Sequence, residues 1–317
     1  MSEERPPEEI LWNLMRGALA ARALGVVADL GIAKALAAGP RPVVELARDT
    51  GADADTLHRY LRALASDRVF AEKEPGVFAN TPASELLLRD AWDDSAHLFG
   101  SVFHRAAAEL DTTGEPTFTR LFGHDFWTWL AVNPSERASF DRAMGGGKER
   151  KVARLASIEW RDGETVVDIG GGNGTLLVET LRDRPEVHGI VFDLPETDRD
   201  ESTFPDNVEF VEGSFFERVP PGDTYVLSAI LHDWSDEQAG AILQTIRAAA
   251  PPGARVVIND AVIQPGNDPG GSKWLDLLML ALLKGRERDE RQWRGLLEGA
   301  GLNIVDVEDG LIQAECR

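Results

Sequence analysis

A glycine-rich stretch near the middle of the chain carries the residues best suited to bind a small molecule. Residues 164–178 read Glu-Thr-Val-Val-Asp-Ile-Gly-Gly-Gly-Asn-Gly-Thr-Leu-Leu-Val, which predicts a strand, a tight loop and a helix. Glycines permit positive φ and let the backbone approach a ligand closely. Asp168 ends the strand directly before the loop. The stretch predicts a nucleotide-type binding loop in an α/β fold, with a simple tight turn as the alternative.

A second acid stands at a position where nucleotide-binding α/β folds bind the ribose of their ligand. The run His188-Gly-Ile-Val-Phe-Asp193 predicts another strand, and Asp193 stands 25 positions after Asp168. In nucleotide-binding α/β folds, an acid at the end of the second strand accepts hydrogen bonds from ribose hydroxyls. A helix N-cap is the alternative for Asp193. Thr175 occupies the position of the third glycine of the dinucleotide fingerprint, which disfavours a NAD-dependent oxidoreductase.

His232 is the residue whose type and position best suit proton transfer. It follows the predicted strand Thr224–Ser228, in the run Leu231-His-Asp-Trp-Ser-Asp-Glu237. Ligands bind beyond the carboxyl ends of strands in such sheets, although a lone histidine can also be structural. The other histidines show no metal-ligand spacing, and the single cysteine, Cys316, allows neither an intrachain disulfide nor a cysteine metal site. No metal is therefore expected.

The elements that must position these residues form an alternating pattern of strands and helices. Beyond the three strands already named, further strands are predicted at residues 208–212, 255–260, 303–307 and 311–315. The last two are joined by Glu308-Asp-Gly310, a link too short for a parallel crossover, so the terminal strand should be antiparallel. The pattern predicts a doubly wound α/β sheet with one reversed edge strand.

The first 90 residues predict a separate helical domain. Two short helices, at residues 42–47 and 54–64, precede a predicted hairpin at residues 69–79, which is a winged-helix pattern. Outward-facing His58, Arg59 and Arg62 would suit DNA, but the net charge of -21 argues against nucleic acid as a partner. An apolar helical stripe runs from Ile10 to about Ala38. It predicts packing within its own domain or against a partner subunit.

Residues 91–150 predict a helical segment rich in aromatic side chains. Near Phe140 we expect a long linker helix, whose apolar face lines a pocket between the domains and which runs into Gly145-Gly-Gly147, a flexible link. The third predicted domain is 151–317, a ligand-binding sheet domain. The N-terminus is acidic, and the longest apolar run, at residues 277–283, is far short of a membrane span. A cytoplasmic protein without a membrane partner is expected.

Four stretches together resemble a known family. They are Asp168-Ile-Gly-Gly-Gly-Asn-Gly174, Phe192-Asp-Leu-Pro195, Gly213-Ser-Phe-Phe216 and Leu231-His-Asp-Trp-Ser-Asp-Glu237. They resemble the S-adenosylmethionine-dependent O-methyltransferases of the plant caffeate type, and bacterial relatives that decorate aromatic natural products look closest. The resemblance spans nearly the whole chain. It implies a Rossmann-like class I methyltransferase fold with an antiparallel last strand, an N-terminal winged-helix dimerisation domain and a homodimer.

The resemblance also assigns contacts to the cofactor, S-adenosyl-L-methionine, which leaves as S-adenosyl-L-homocysteine. Gly170, Gly172 and Gly174 would cradle its methionine part, Asp193 would hold the ribose, and Phe215 would lie against the adenine. The other implied cofactor residues are Asp168, Leu194, Gly213, Ser214 and Ser228. Ser214 replaces the usual acid at the adenine amine, and Ser228 replaces a lysine common in plant members.

By the same resemblance, His232 is the catalytic base, and the carboxylates of Asp260 and Glu287 support it. The implied contacts of a small aromatic substrate are Phe140, Met144, Asp233 and Met279. A phenol titrates near about 10 and an imidazole near about 6.5, so a histidine beside a carboxylate can accept the phenolic proton during methyl transfer. The alternatives are a member of this fold repurposed for hydroxylation or decarboxylation, and a cofactor-sensing DNA-binding regulator.

Overall fold

The computed structural model describes residues 6–197, 199–267, 269–308 and 310–316, with Lys148 described by its backbone alone. The chain divides into two compact units. The first runs to Gly146 without residues 114–116, and the second consists of residues 114–116 together with the chain from Gly147 onward. Asp309, in the predicted final turn, lies outside the described residues.

The first unit is mostly helical. Its elements are α1 (Pro7–Met15), α2 (Gly17–Asp29), α3 (Ile32–Ala35), β1 (Arg41–Pro42), α4 (Val43–Thr50), α5 (Ala54–Ser66), β2 (Phe70–Glu74), β3 (Val77–Asn80), α6 (Asp90–Gly100), α7 (Val102–Ala108), α8 (Thr117–Phe122), α9 (Phe126–Val132) and α10 (Pro134–Met144). A 3-10 turn at Ser84–Leu88 precedes α6. The apolar stripe predicted from Ile10 to about Ala38 is therefore distributed over three helices, α1, α2 and α3.

The winged-helix pattern is confirmed in this unit. Gly51, at φ 72°, ends α4, and the Asp53 side chain accepts a hydrogen bond from Thr56 N and caps α5. β2 and β3 pair antiparallel, and β1 joins β3 on its other side. Leu57, Leu61 and Phe78 are buried between these elements. Local turn chemistry and a shared apolar core therefore fix the pattern that the sequence predicted.

The second unit contains the large sheet. Its elements are α11 (Lys148–Ala156), β4 (Thr165–Ile169), α12 (Thr175–Leu181), β5 (His188–Asp193), β6 (Val208–Glu212), β7 (Thr224–Ser228), α13 (Asp236–Ala249), β8 (Arg255–Asn259), β9 (Val262–Ile263), α14 (Ser272–Leu282), β10 (Arg288–Asp289), α15 (Glu290–Gly299), β11 (Leu302–Glu308) and β12 (Leu311–Cys316). Short 3-10 turns occur at Glu201–Thr203 and Leu231–Asp233.

The sheet has seven strands in the order β11-β12-β8-β7-β4-β5-β6. The strands from β8 to β6 are parallel, whereas β12 runs antiparallel to both β8 and β11. The antiparallel last strand is thus confirmed. Its expected place at the sheet edge is wrong, because β12 lies between β8 and β11 and the edge strand is β11.

Helices cover both faces of this sheet. On one face, α13 and α15 pack against β-strand residues such as Val167 and Tyr225, and on the other, α11 and α12 pack against residues such as Val166 and Val191. Neighbouring residues of β4 thus face opposite cores, as expected for a strand buried on both sides. This double burial explains the continuous apolar runs from which the strands were predicted.

The helix predicted near Phe140 is α10, which has only 11 residues and is therefore not long. It ends at Met144, and the glycines predicted as a link lie between it and α11, which begins at Lys148. Gly147 has φ 69°, a left-handed conformation that favours glycine.

Among the described residues, no single helix is long and apolar enough to cross a membrane, although α1 and α2, bent by 47° at their junction, meet that criterion as a pair.

Candidate active site

The glycine loop after β4 forms a closely packed cradle. Gly170, Gly172 and Gly174 all have positive φ, at 69°, 58° and 78°. A Cβ added at Gly170 would lie 2.6 Å from Ile230 Cδ1, and one at Gly174 would lie 2.6 Å from Phe204 Cζ. Both backbone angle and space therefore require glycine at these two positions.

Asp193, at the end of β5, is bound to this loop. Its Oδ2 accepts a hydrogen bond from Gly172 N at 2.7 Å, and its Oδ1 accepts from Leu194 N at 2.7 Å and Thr197 Oγ1 at 2.9 Å. An ionised carboxylate has about four acceptor positions, so three bonds leave capacity for another donor. The structure thus shows Asp193 holding the loop in shape rather than capping a helix.

Two buried polar side chains near the loop have no partner. Asp168 Oδ2 and Ser228 Oγ are both buried without a hydrogen bond, and their strands, β4 and β7, are neighbours. Burial, followed by the charge of Asp193, raises the pKa of Asp168 to about 7, against the opposing charge of Lys151. Buried polar groups are rarely unpaired, so these atoms, with the glycine cradle, fit a polar small-molecule cofactor.

The remaining residues predicted to contact the cofactor lie around the neighbouring loops. Phe215 packs edge-to-face on Phe216 and on Trp234, with ring centroids 5.0 and 5.9 Å apart. Ser214 Oγ accepts a hydrogen bond from Phe216 N at 3.3 Å. Leu194 is exposed, whereas Gly213 is packed so that an added Cβ would lie 2.7 Å from the Phe192 ring.

His232 lies in the 3-10 turn after β7 and is bonded to a buried carboxylate. Its Nδ1 donates to Glu287 Oε1 at 2.7 Å, and the Glu287 side chain is fully shielded from solvent. Its Nε2 lies 3.5 Å from Asp233 Oδ1. Because Glu287 fixes Nδ1 as the donor, Nε2 is the nitrogen available for exchange of a proton with another group.

Asp260 lies just beyond β8 and does not bond to His232. The residue is 3% exposed, and neither of its carboxylate oxygens has a hydrogen-bond partner. The hydrogen bond that orients the His232 ring therefore comes from Glu287 and not from Asp260. Asp260 acts on the imidazole through charge.

Charge and burial shift the protonation of this cluster strongly. Burial acts to lower the pKa of His232, but the carboxylates of Asp233, Asp260 and Glu287 outweigh it and raise that pKa to about 10. Burial raises the pKa of Asp233 to about 7, against the opposing charge of His232. In the free protein at neutral pH, the imidazolium is therefore the favoured form of His232.

Two cations in the same unit belong to this region and were missed by the sequence interpretation. Burial lowers the pKa of Lys151, on α11, while the charges of Asp260, Asp168 and Asp233 oppose that shift. Arg288 is fully buried and adjoins Glu287 in sequence. Its place directly after a proposed carboxylate was the one available signal, whereas Lys151 has no distinctive sequence context.

The expected substrate contacts are divided between the units. In the first unit, Phe140 packs edge-to-face on Phe126 and Trp127, with ring centroids 5.3 and 5.7 Å apart. Met144 is 48% exposed at the end of α10. In the second unit, Met279 is buried on α14 and Asp233 lies beside His232.

No group of three or more His, Cys, Asp or Glu side chains within the described part of the chain is arranged to hold a metal ion.

Comparison with known proteins identifies the class that this fold and site define. The O-methyltransferase domain model matches residues 103–303, and the O-methyltransferase dimerisation domain model matches residues 12–90. The chain is 36% identical to the phenazine O-methyltransferase PhzM of Lysobacter antibioticus over 329 residues, covering 98% of this chain and 96% of that protein.

Comparison with solved structures identifies the same class of protein. The crystal structure of LaPhzM aligns with a TM-score of 0.90 at 35% identity, covering 99% of this chain and 100% of that chain. NcsB1, an O-methyltransferase from neocarzinostatin biosynthesis solved with S-adenosyl-L-homocysteine and 1,4-dihydroxy-2-naphthoic acid, aligns with a TM-score of 0.79 at 31% identity, covering 93% and 94%.

The chain therefore belongs to the O-methyltransferase family. It is an S-adenosylmethionine-dependent enzyme with an N-terminal dimerisation domain, and the resemblance drawn from its motifs is confirmed at this level.

Proposed function

We propose that the enzyme transfers a methyl group from S-adenosyl-L-methionine to a phenolic hydroxyl of an aromatic natural product, with His232 as general base and without a metal ion. The observation that carries the proposal is the pair formed by His232 Nδ1 and the buried Glu287 carboxylate at 2.7 Å. The aromatic substrate class rests on relatives whose names specify a phenazine and a naphthoic acid.

Side chains around the glycine cradle supply the cofactor contacts in this proposal. Residues 170–174 hold the methionine part, Asp193 accepts from the ribose hydroxyls, and Phe215 lies against the adenine. Asp168 and Ser228 each carry a buried polar atom without a partner, which a polar cofactor would pair. Further contacts are proposed for Leu194, Gly213 and Ser214. When bound, the cofactor supplies an electrophilic methyl group on a sulfonium.

His232 accepts the phenolic proton at Nε2 in this proposal. The pKa of His232 is raised to about 10, and a phenol titrates near about 10, so the proton can move between them at little free-energy cost. Glu287 fixes the imidazole tautomer, and Asp260 stabilises the imidazolium through charge. Positioning supplies most of the acceleration, because well-oriented reactants gain roughly 7–11 kcal/mol.

Asp233 serves as a substrate contact in this proposal, because its carboxyl lies on the Nε2 side of His232. It can hydrogen-bond the reacting hydroxyl or a neighbouring polar group of the ring. Phe140, Met144 and Met279 are proposed as apolar contacts of the ring, on the resemblance alone. The homodimer is proposed from the dimerisation domain and from the exposed apolar residues of α1.

A mass-shift screen of aromatic phenols with the cofactor tests this function. Phenols that turn over should gain the mass of one methyl group in place of a proton, equally well with and without a strong chelator. Matched aromatic compounds whose hydroxyl is already methylated provide the control. Loss of turnover with the chelator, or transfer to the blocked compounds, would contradict the proposed reaction.

A further inference from the structure

Arg288 is buried, and its guanidinium binds the backbone on both sides of His232. Its Nη1 donates to Leu231 O at 2.8 Å and its Nη2 donates to Trp234 O at 3.0 Å. Its Nε donates to Asp236 Oδ1 at 2.9 Å. A planar guanidinium offers these donors in a fixed fork, so the three contacts define the path of the chain from Leu231 to Asp236.

The backbone around Arg288 is itself firmly held. Arg288 lies in β10, which pairs with β9, and Arg288 is in register with Val262. The next residue, Asp289, caps α15 through a reciprocal pair of hydrogen bonds with Gln292. The guanidinium therefore extends from a fixed strand and helix start toward the 3-10 turn that carries His232.

A backbone hydrogen bond attaches the same two segments to each other, since Arg286 N donates to His232 O at 2.8 Å. Glu287 is held separately to α14, because Glu287 N donates to Asp276 Oδ1 at 2.8 Å. A Cβ at Gly285 would lie 2.0 Å from His232 O, so the chains approach at a distance that only glycine permits. Small shifts of the 3-10 turn would therefore separate His232 from Glu287.

We propose that Arg288 is a positioning residue for methyl transfer, which holds the carbonyls of Leu231 and Trp234 so that His232 stays aligned with Glu287. This inference rests on the proposed function of His232. Arg288 contacts neither reacting group directly in this account and acts through the backbone of the turn.

If Arg288 had a purely structural role, its substitution would give different results. If Arg288 only stabilises the fold, its replacement lowers the fraction of folded enzyme, and the folded molecules keep their turnover and the pKa of His232. If it positions His232, folded molecules lose turnover, because displacement of a catalytic group by about 1 Å can cost about 10²-fold. The pKa of His232 then also moves toward its ordinary value, because the bond to Glu287 weakens.

Arg288→Lys and Arg288→Met separate these two roles, with Arg294→Met as the matched control. Arg294 is a half-exposed arginine on α15 that pairs with Glu290 at 2.8 Å, away from His232. Each variant is compared by thermal unfolding, by calorimetry with the cofactor, by kcat and KM, and by an NMR titration of the His232 ring.

Among folded molecules, we expect Arg288→Met to lower kcat by about 10²-fold while cofactor affinity changes by less than about twofold. Arg288→Lys should recover part of that loss, because one ammonium cannot bind both carbonyls in the fork geometry. Arg294→Met should match the wild type. In Arg288→Lys, which keeps the positive charge, the His232 titration should shift to lower pH.

Folded Arg288→Lys with wild-type kcat and an unchanged His232 titration would overturn the inference, even if Arg288→Met fails to fold. The titration needs no substrate, so it judges the positioning claim separately from the proposed reaction. If His232→Asn keeps its turnover, the base assignment fails instead, while a shifted His232 titration in Arg288→Lys would still support the positioning role.

Discussion

The imidazole of His232 is bonded at Nδ1 to Glu287, a carboxylate that solvent does not reach, and lies within the field of two more acids. This arrangement favours the imidazolium in the free enzyme, so activity should require loss of that proton.

The pH dependence of kcat/KM tests this arrangement. The neutral imidazole becomes more abundant as pH rises toward the folded pKa of about 10, so kcat/KM should rise with pH beyond the usual range of a histidine. In Asp260→Asn the apparent pKa should fall, because a neighbouring anion that favours the imidazolium is removed. An apparent pKa that stays constant or rises in this variant would contradict the assigned charge effect.

Asp193→Ala should weaken cofactor binding by roughly 1.5–3 kcal/mol, the scale for hydrogen bonds to a charged group. Thr197→Val is the matched control, because it removes one of the three bonds to Asp193 but leaves the carboxylate in place. Calorimetry should show a smaller loss for Thr197→Val than for Asp193→Ala. Equal affinities of Asp193→Ala and the wild type would remove Asp193 from the cofactor site.

Single residues differ in how far the sequence can identify them. His232 and Asp193 could be singled out because each follows a recognisable strand, and the carboxyl ends of these strands meet at one edge. Lys151 and Arg288 could not, because a cation on a helix or short strand is usually solvated, and its burial depends on tertiary packing. The bond of His232 to Glu287 rather than to Asp260 also depends on side-chain geometry.

At the level of elements, helices α2 and α6 cross in close backbone contact. A Cβ added at Gly100 would lie 2.6 Å from Gly25 Cα, and one at Gly25 would lie 2.7 Å from Gly100 Cα. The backbones therefore meet without any side chain between them. Gly25 and Gly100 therefore serve packing rather than chain flexibility.

Gly100→Ala should destabilise the protein by about 1–3 kcal/mol, the range for overpacking a close contact. Gly17→Ala is the control, because Gly17 lies in α2 with open space around its added Cβ. Alanine there should leave stability unchanged or raise it slightly, since alanine favours helix by about 1 kcal/mol. Denaturant unfolding that ranks the two variants in the opposite order would refute the close packing of α2 and α6.

Strand prediction succeeded where burial on both sides of the sheet produces continuous β-branched runs, as in β4, β7 and β8. The position of β12 could not be predicted, because the hairpin with β11 is a local feature, whereas insertion beside β8 depends on the whole sheet. The interruption at residues 145–147 could be predicted, because three consecutive glycines disfavour a helix.

For the whole molecule, α1 presents a set of exposed apolar side chains at the start of the region matched by the dimerisation domain model, which begins at residue 12. The exposed members in the first two helices are Ile10, Leu11, Trp12, Leu14, Met15 and Leu19. Several large apolar side chains exposed on one short stretch of chain usually mark a protein interface. The sequence stripe left open whether this surface packs internally, and the exposure of α1 within its own unit favours a partner subunit.

Replacing Leu11 and Met15 together by glutamate should convert the proposed homodimer to monomers, because the two residues share one helix face and buried charges without partners are costly. Val305→Glu is the control, as Val305 is similarly exposed but lies on the edge strand β11 of the other unit. Sedimentation analysis should show the wild type and control as dimers. An unchanged dimer in the double variant would exclude this face from the interface.

The most direct test of the account is turnover of His232→Asn on a confirmed phenolic substrate, measured beside its cofactor affinity. Asparagine keeps similar volume and some hydrogen bonding but cannot accept the phenolic proton. We predict that kcat falls by about 10²-fold or more while calorimetry shows cofactor binding near the wild-type value. Full turnover in His232→Asn would contradict it and would assign the reaction to positioning alone or to an already ionised substrate.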